Sequence, residues 1–457
     1  MGHYVPHTDA EIAGMLASLG LSSLDDLFAA IPAALRLAGG GHGLALDPGL
    51  SEPDVLDRID HLAGANRPTG ADLVCFAGAG AYDHDIPSVV AALAFRSEFV
   101  TAYTPYQPEV AQGVLQALFE YQTLVCRLTG MEVANASLYD GASACVEAVN
   151  LSVAATGRPV VWVSRGVHPH WREVMATFAA GSGHRLRIVD LADGLTAWPG
   201  AGAGDGDGGD GGPPGAIVLQ QPNFLGCLED VAGAVAVARA VGAHAVVAAD
   251  PVSLGLLKPP GDFGVDVVVG EGQPFGTPLS FGGPYLGLFA CRKEHVRRLP
   301  GRLVGETVDV DGRRAYVTTL RTREQDIRRE KASSNVCTNQ TLIAVAFAVH
   351  LAWLGTEGLH QLAIRCARGT RYAREAVLGI PGIEPLAGGP VLAEFALRLP
   401  VDADVVVERM AENGFLAGVP LGEEYGAGPS GLLVAVTERR TRAQIDAYVA
   451  ALDKVIR

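Results

Sequence analysis

Residues 266–284 read DVVVGEGQPFGTPLSFGGP. Three valines form an unbroken apolar strand that runs into a glycine-rich loop, and a Gly-Gly-Pro turn follows. A strand apolar on both faces belongs in a parallel sheet covered by helices on either side. The loop resembles one that presents a reactive side chain at a strand end. Yet it carries no lysine, cysteine or histidine, and Ser280 is its only serine.

The same strand pattern recurs at PVVWVS (159–164), RLRIVD (185–190), AIVLQQ (216–221), AVVAAD (245–250) and YLGLFAC (285–291). Helical patterns lie between and before these strands. EVAQGVLQALFEYQTLVCRLTG (109–130) is amphipathic and closed by Gly130, and DGASACVEAVNLSVAAT is opened by Asp140. Residues 70–330 therefore read as a large α/β domain with a parallel-type sheet. Residues 1–69 read as a helical arm. Thr8 with Glu11 forms a capping box, Ser23 caps LDDLFAAI up to Pro32, and Ser51 with Pro53 opens PDVLDRIDHL. Residues 200–215 are rich in Gly and Asp and read as a flexible surface insert. Residues 331–457 hold a long apolar helix (TNQTLIAVAFAVHLAWLG), strands AEFALRLP and GLLVAVT, and a terminal helix boxed by Thr441 and Gln444. They read as a smaller α+β domain. A helical arm, a large α/β domain and a small C-terminal domain make the layout of fold-type I pyridoxal-phosphate enzymes, an analogy of architecture that says nothing yet about function.

Composition narrows the classes. The 457 residues are 49% hydrophobic and 19% charged, enough for two or three domains with large cores. No apolar run approaches a membrane span, and acids precede the first apolar run, so neither a membrane anchor nor a signal peptide is expected. The net charge of −15 disfavours nucleic acid. The seven cysteines are odd in number and contain no CxxC pair, which fits reduced thiols, a cytoplasmic setting and no zinc or other metal site. Only four of the 35 basic residues are lysines: Lys258, Lys293, Lys331 and Lys454.

A pyridoxal-phosphate site needs a carboxylate for the pyridine nitrogen, donors at a helix N-terminus for the phosphate, a flat group against the ring, and a lysine. Asp250 at the end of AVVAAD suits the first role, or else it simply opens a turn before Pro251. Gly141 and Ser143, at the start of a helix, suit the second, or else belong to an ordinary N-cap. His168, in SRGVHPHW, suits the third, or else is a satisfied structural histidine. The lysine is missing. Gln273 stands at the strand end where it is expected, and glutamine cannot condense with an aldehyde.

Longer motifs carry a resemblance. GAGAYDHDIPSVV (78–90), RSEFVTAYTPYQPEVAQGVLQALFEYQTLVCRLTGMEVANASLYDGASA (96–144), DPVSLGLLKPPGDFGVDVVVGEGQPFG (250–276), GRLVGETVDVDGRRAYVTTLRTREQDIRREKASSNVCTNQTL (301–342) and LLVAVTERRT (432–441) strongly resemble the glycine cleavage P-protein. The resemblance covers nearly the whole chain apart from 200–215. TAYTPYQPE and REKASSNVCTNQ are its most specific marks. P-proteins occur as one long chain of two homologous halves or as two subunits, and the length here resembles the separate N-terminal subunit.

The resemblance implies that the second subunit carries the pyridoxal phosphate on a lysine in a loop of the form HKTF. QPF here lines up with KTF, so Gln273 matches that lysine. It further implies decarboxylation of glycine and transfer of the aminomethyl group to the lipoyl arm of the H-protein. Tyr103, Thr104, Tyr106, Gln107 and Glu109 are then candidates to reach the partner's site, or else to pack the subunit interface. Arg321, Arg323, Arg328, Arg329 and Lys331 are candidates to dock an acidic H-protein, or else form a salt-bridged surface helix. His170 and Trp171 depart from the family's usual residues there. Three other readings stay open: a stand-alone fold-type I lyase, a purely structural partner of the pyridoxal subunit, and non-covalent cofactor binding through Asp250 and Ser143.

Overall fold

The computed structural model describes residues 6–36, 47, 49–70, 72–100, 104–199 and 212–457. Tyr103 and residues 200–211 of the expected insert lie outside the described residues. The chain divides into two compact units, Met1–Arg67 and Pro68–Arg457.

The first unit is helical. Thr8 and Glu11 form the expected capping box ahead of Asp9–Ser18, and Ser51 caps Glu52–Gly64. Ser23 caps only a 3-10 turn, Leu24–Phe28, and not the longer helix expected. A segment this short, stopped by Pro32, cannot repay the cost of nucleating an α-helix.

The second unit is built on a seven-stranded sheet. Its strands are β1 Val133–Ala134, β2 Val160–Ser164, β3 Arg185–Val189, β4 Ala216–Gln221, β5 His244–Ala249, β6 Val267–Glu271 and β7 Gly287–Cys291, in the spatial order β1-β7-β6-β5-β4-β2-β3. Strands β2 to β6 run parallel. Both faces are covered, which explains the unbroken valines. Val268 packs with Leu115, Leu118, Val235 and Phe347 on one side. Val267 and Val269 pack with Val146, Val149 and Met175 on the other. Strand β7 departs from the parallel pattern and pairs antiparallel with β6. The intervening residues 272–286 hold no helix, so no crossover can restore the direction.

Helix Gln112–Thr129 starts later than the pattern suggests, because Pro108–Val110 is a separate 3-10 turn. The hairpin Leu303–Val308 with Arg314–Thr319 was not expected. Helix Thr341–Val377 bends at Gly355 (φ 59°). By length and apolar content it is the one helix among the described residues that could cross a membrane, contrary to the expectation that no such run exists. It is a helix of the core: Ala344, Phe347 and Leu351 pack on the large sheet, and Ala373 and Val377 join the C-terminal core. That second core lies under a four-stranded sheet with helices Ala403–Glu412 and Arg442–Ile456, and Phe76 reaches into it, 4.2 Å from Tyr448 ring to ring.

Candidate functional site

The carboxyl ends of the parallel strands meet on one edge of the sheet, where α/β folds place ligands. Asp250 follows β5, Glu271 ends β6, Gln220 and Gln221 end β4, and the turn after β2 leads to His168. Gln273 is brought to the same place. It is 1% exposed and fully bonded. Its Oε1 accepts from the Tyr82 N–H at 3.0 Å, and its Nε2 donates to the carbonyls of Tyr82 (3.1 Å) and Thr277 (2.8 Å). The side chain at the lysine position thus works as a strut for the loop around Tyr82.

The helix N-terminus at Gly141 and Ser143 is closed from within the chain. Glu271 Oε2 accepts from the Gly141 N–H at 2.9 Å, and its Oε1 accepts from Gln273 (3.0 Å) and Leu286 (2.9 Å). Asp140 Oδ1 accepts from the Ser143 N–H at 2.7 Å, the ordinary N-cap. Trp171 lies so close over Gly141 that any Cβ there would overlap its ring. A carboxylate therefore stands where a phosphate would sit, and burial pushes the pKa of Glu271 up to about 7.

Asp250 is spent on its own turn. Its oxygens accept from Val252 (3.2 Å) and Ser253 (2.9 Å). His168 is buried, stacks on Trp171 with centroids 6.1 Å apart, and bonds through Nε2 to the Ala79 carbonyl at 2.7 Å. Burial depresses its pKa to about 4. The space among Gly80, Tyr82, His168, Trp171, Asp250 and Glu271 amounts to about 40 Å³. Ligand pockets run to roughly 300–1,000 Å³, so this one admits water only. A cavity of about 410 Å³ lies beside it, but the Asp140 carboxylate on its wall is the wrong charge for a phosphate. These residues do not fit pyridoxal phosphate.

Sequence reasoning missed the groups that hold this edge together. In GAGAYDHD, the Tyr82 hydroxyl donates to Glu394 Oε2 (2.7 Å), and the Ala79 N–H donates to Glu394 Oε1 (2.6 Å). His84 meets Glu438 at 2.7 Å. Asp83 pairs with both Arg439 and Arg440. The motifs 78–90 and 432–441 are thus two sides of one junction. Burial and, secondarily, nearby Asp250 raise Glu394, to about 7.

That shift has a definite sign. The folded state holds a proton on Glu394 that the unfolded chain releases near pH 4.5, so this contribution is full below that pH and is lost as pH rises to about 7. Glu394→Gln stays neutral throughout. Its stability relative to wild type is expected to rise by about 2–3 kcal/mol between pH 4.5 and 7.5 and then level. Unfolding midpoints of the two proteins across that range measure this, and a constant difference refutes it.

The remaining candidates gather elsewhere. Thr104 is buried with no partner for its hydroxyl, whereas Tyr106, Gln107 and Glu109 are exposed. Tyr106 lies 5.4 Å under the guanidinium of Arg302 and 5.9 Å from that of Arg321. It borders a cavity of about 600 Å³ shared with Arg321, Glu324, Arg329 and Cys337. The two most specific motifs therefore meet at one open cavity. Arg323 does not belong to this surface. It is 9% exposed and donates to the carbonyls of Leu299 and Gly301, so it is a structural arginine. Arg328, Arg329 and Lys331 are exposed, and Arg321 pairs with Asp326 at 3.3 Å.

A family model described as glycine cleavage system P-protein matches residues 2–452. A relative from Moorella thermoacetica, "Probable glycine dehydrogenase (decarboxylating) subunit 1", is 48% identical over 455 residues, covering 99% of each chain. The crystal structure of a glycine decarboxylase (P-protein) of the glycine cleavage system, in inhibitor-bound form, superimposes with TM-score 0.90 at 45% identity, covering 99% of this chain and 100% of that one. A sphingosine-1-phosphate lyase from Burkholderia pseudomallei shares the fold at 15% identity and TM-score 0.64, over 90% of this chain and 91% of its own.

Proposed function

The chain belongs to the glycine cleavage system P-protein family, and from that premise we propose that it is the subunit of a divided glycine decarboxylase that carries no cofactor of its own. The fully bonded Gln273, next to a pocket of only about 40 Å³, carries this reading. The name "subunit 1" borne by a relative of equal length supports a second subunit as obligate partner.

In this reading subunit 2 holds pyridoxal phosphate on its lysine, and that cofactor supplies the electron sink for decarboxylation. The net reaction breaks the bond between the α-carbon and carboxylate of glycine and releases CO2. The aminomethyl carbon joins one sulfur of the H-protein's oxidised lipoyl group, whose S–S bond is reduced. This chain supplies walls and recognition surface. Tyr106 and the cavity beside it face outward to the partner or the lipoyl arm, and Arg328, Arg329 and Lys331 offer positive charge to the H-protein. The seven cysteines are free thiols, in keeping with a cytoplasmic enzyme.

The test is glycine–bicarbonate exchange by each subunit alone and by both together, with saturating pyridoxal phosphate and lipoylated H-protein. Exchange is expected only from the pair. Activity of this chain by itself, or of subunit 2 without it, refutes the division of labour. Tyr106→Ala separates a site role from a structural one: the first lowers turnover in an intact complex, and the second does not.

A further inference from the structure

We propose that His244, Asp266 and His295 bind a single divalent transition-metal ion of the zinc class, on the sheet edge opposite the Gln273 pocket. The expectation of no metal came from cysteine spacing, which is blind to a site of imidazoles and a carboxylate.

The topology brings the three together. His244 opens β5, whose far end leads to Asp250. At a rise of about 3.3 Å per residue the two ends lie about 20 Å apart. Asp266 immediately precedes β6, and His295 sits in the 3-10 turn Lys293–Arg298 just after the antiparallel β7. Three adjacent strands therefore present one ligand each at the same edge, and their candidate ligand atoms lie within 4.8 Å of one another.

The bonding of the two histidines is incomplete in a way that a cation would complete. His295 is 6% exposed, and neither of its ring nitrogens has a hydrogen-bond partner. The buried Nδ1 of His244 has none either, although its ring lies 4.7 Å from that of His295. Buried polar atoms without partners are rare and call for an explanation. Asp266 Oδ2 accepts from the Ala245 N–H at 2.8 Å, and its Oδ1 makes no hydrogen bond but lies 3.7 Å from Arg292 Nε, a loose ion pair. Arg292 is held by the carbonyls of Gly264 and Val265.

Two imidazoles and one carboxylate suit zinc and its neighbours, with one position left open. Bonds of about 2.0–2.1 Å would draw tetrahedral ligand atoms to about 3.3–3.4 Å, a closure within reach of small side-chain rotations. Glu294, with Oε1 3.7 Å from His295 Nε2, is placed to supply or orient a fourth ligand. The ion would clamp β5, β6 and β7 far from the chemistry, so its role is structural.

The experiment uses the untagged full-length chain, stripped with chelator and titrated with cobalt(II) and zinc(II). One cobalt per chain is expected, with the visible absorption of a low-coordinate cobalt bound by nitrogen and oxygen. Zinc should bleach that absorption and raise Tm. Asp266→Asn keeps an acceptor for Ala245 and should bind at least about tenfold more weakly, the loss typical of disturbing even an outer-shell partner. His244→Gln with His295→Gln should abolish stoichiometric binding, and His244→Gln alone serves if the double variant fails to melt cooperatively. Absence of stoichiometric metal in the wild type overturns the proposal. So does unchanged binding in the histidine variants, which would place the ion elsewhere, for example at His84, Cys366 and Glu438.

Discussion

Asp83→Ala is expected to cost about 3–5 kcal/mol of stability, the penalty for leaving a buried charge without its partner. Asp83 and Arg440 have side chains only 9% and 5% exposed. Arg440 Nη2 bonds to Asp83 Oδ2 at 2.6 Å, and its Nη1 bonds to the Cys75 carbonyl at 2.9 Å. Removing the carboxylate leaves the guanidinium inside with one carbonyl for company, because its Nε has no partner. Arg439, 38% exposed, can turn to solvent and adds little to the loss. Chemical unfolding reads the effect as a lower midpoint at unchanged slope. Adding Arg440→Met to Asp83→Ala should recover much of the loss, since replacing both charges by apolar groups is often nearly neutral. Equal midpoints for Asp83→Ala and wild type, or strict additivity in the double variant, would show that the pair does not secure this junction.

That junction also marks where sequence reading stopped. Strands β2, β4, β5 and β6 were legible within two residues because both-face burial leaves an unbroken apolar run that needs no partner to be seen, and the edge strand β3 was legible from the alternation of Arg185, Leu186, Arg187 and Ile188. Gln273 was legible because a single expected amine was missing from one loop. Asp83 and Arg440 stand 357 positions apart, and Tyr82 and Glu394 stand 312 apart. Both stretches around Asp83 and Arg440 were noticed as motifs, but nothing in their local spacing says they touch. Glu271 lay inside the opening stretch and read only as part of its glycine-rich loop. Its role appears when the sheet edge sets it against Gly141, 130 residues earlier. Arg323 was misplaced for the opposite reason. Counting charges in RTREQDIRREK treats each arginine as solvated, whereas this one folds back under the 299–301 carbonyls. The hairpin between Leu303 and Thr319 carried an Asp-Gly turn signal at Asp311 and Gly312 that passed unread among flanking charges.

A lysine placed at position 273 should not create a cofactor site. Gln273→Lys is expected to form no imine with pyridoxal phosphate, read by absorbance and by borohydride trapping, and to lose about 3–5 kcal/mol of stability. Lysine has donors but no acceptor, so the Tyr82 N–H that Gln273 now satisfies at 3.0 Å is orphaned inside the protein. The ammonium must also shed its water in a position that is 1% exposed at present. Even a neutral amine would meet a filled cradle, with Glu271 on the Gly141 N–H and Trp171 across the helix start. Adding Glu271→Ala and Trp171→Ala removes the competing carboxylate and the covering ring. Imine formation only in that triple variant would assign the barrier to the closed cradle. Imine formation in the single variant would mean that the missing amine was the sole obstacle and that Gln273 is no indispensable strut of this loop.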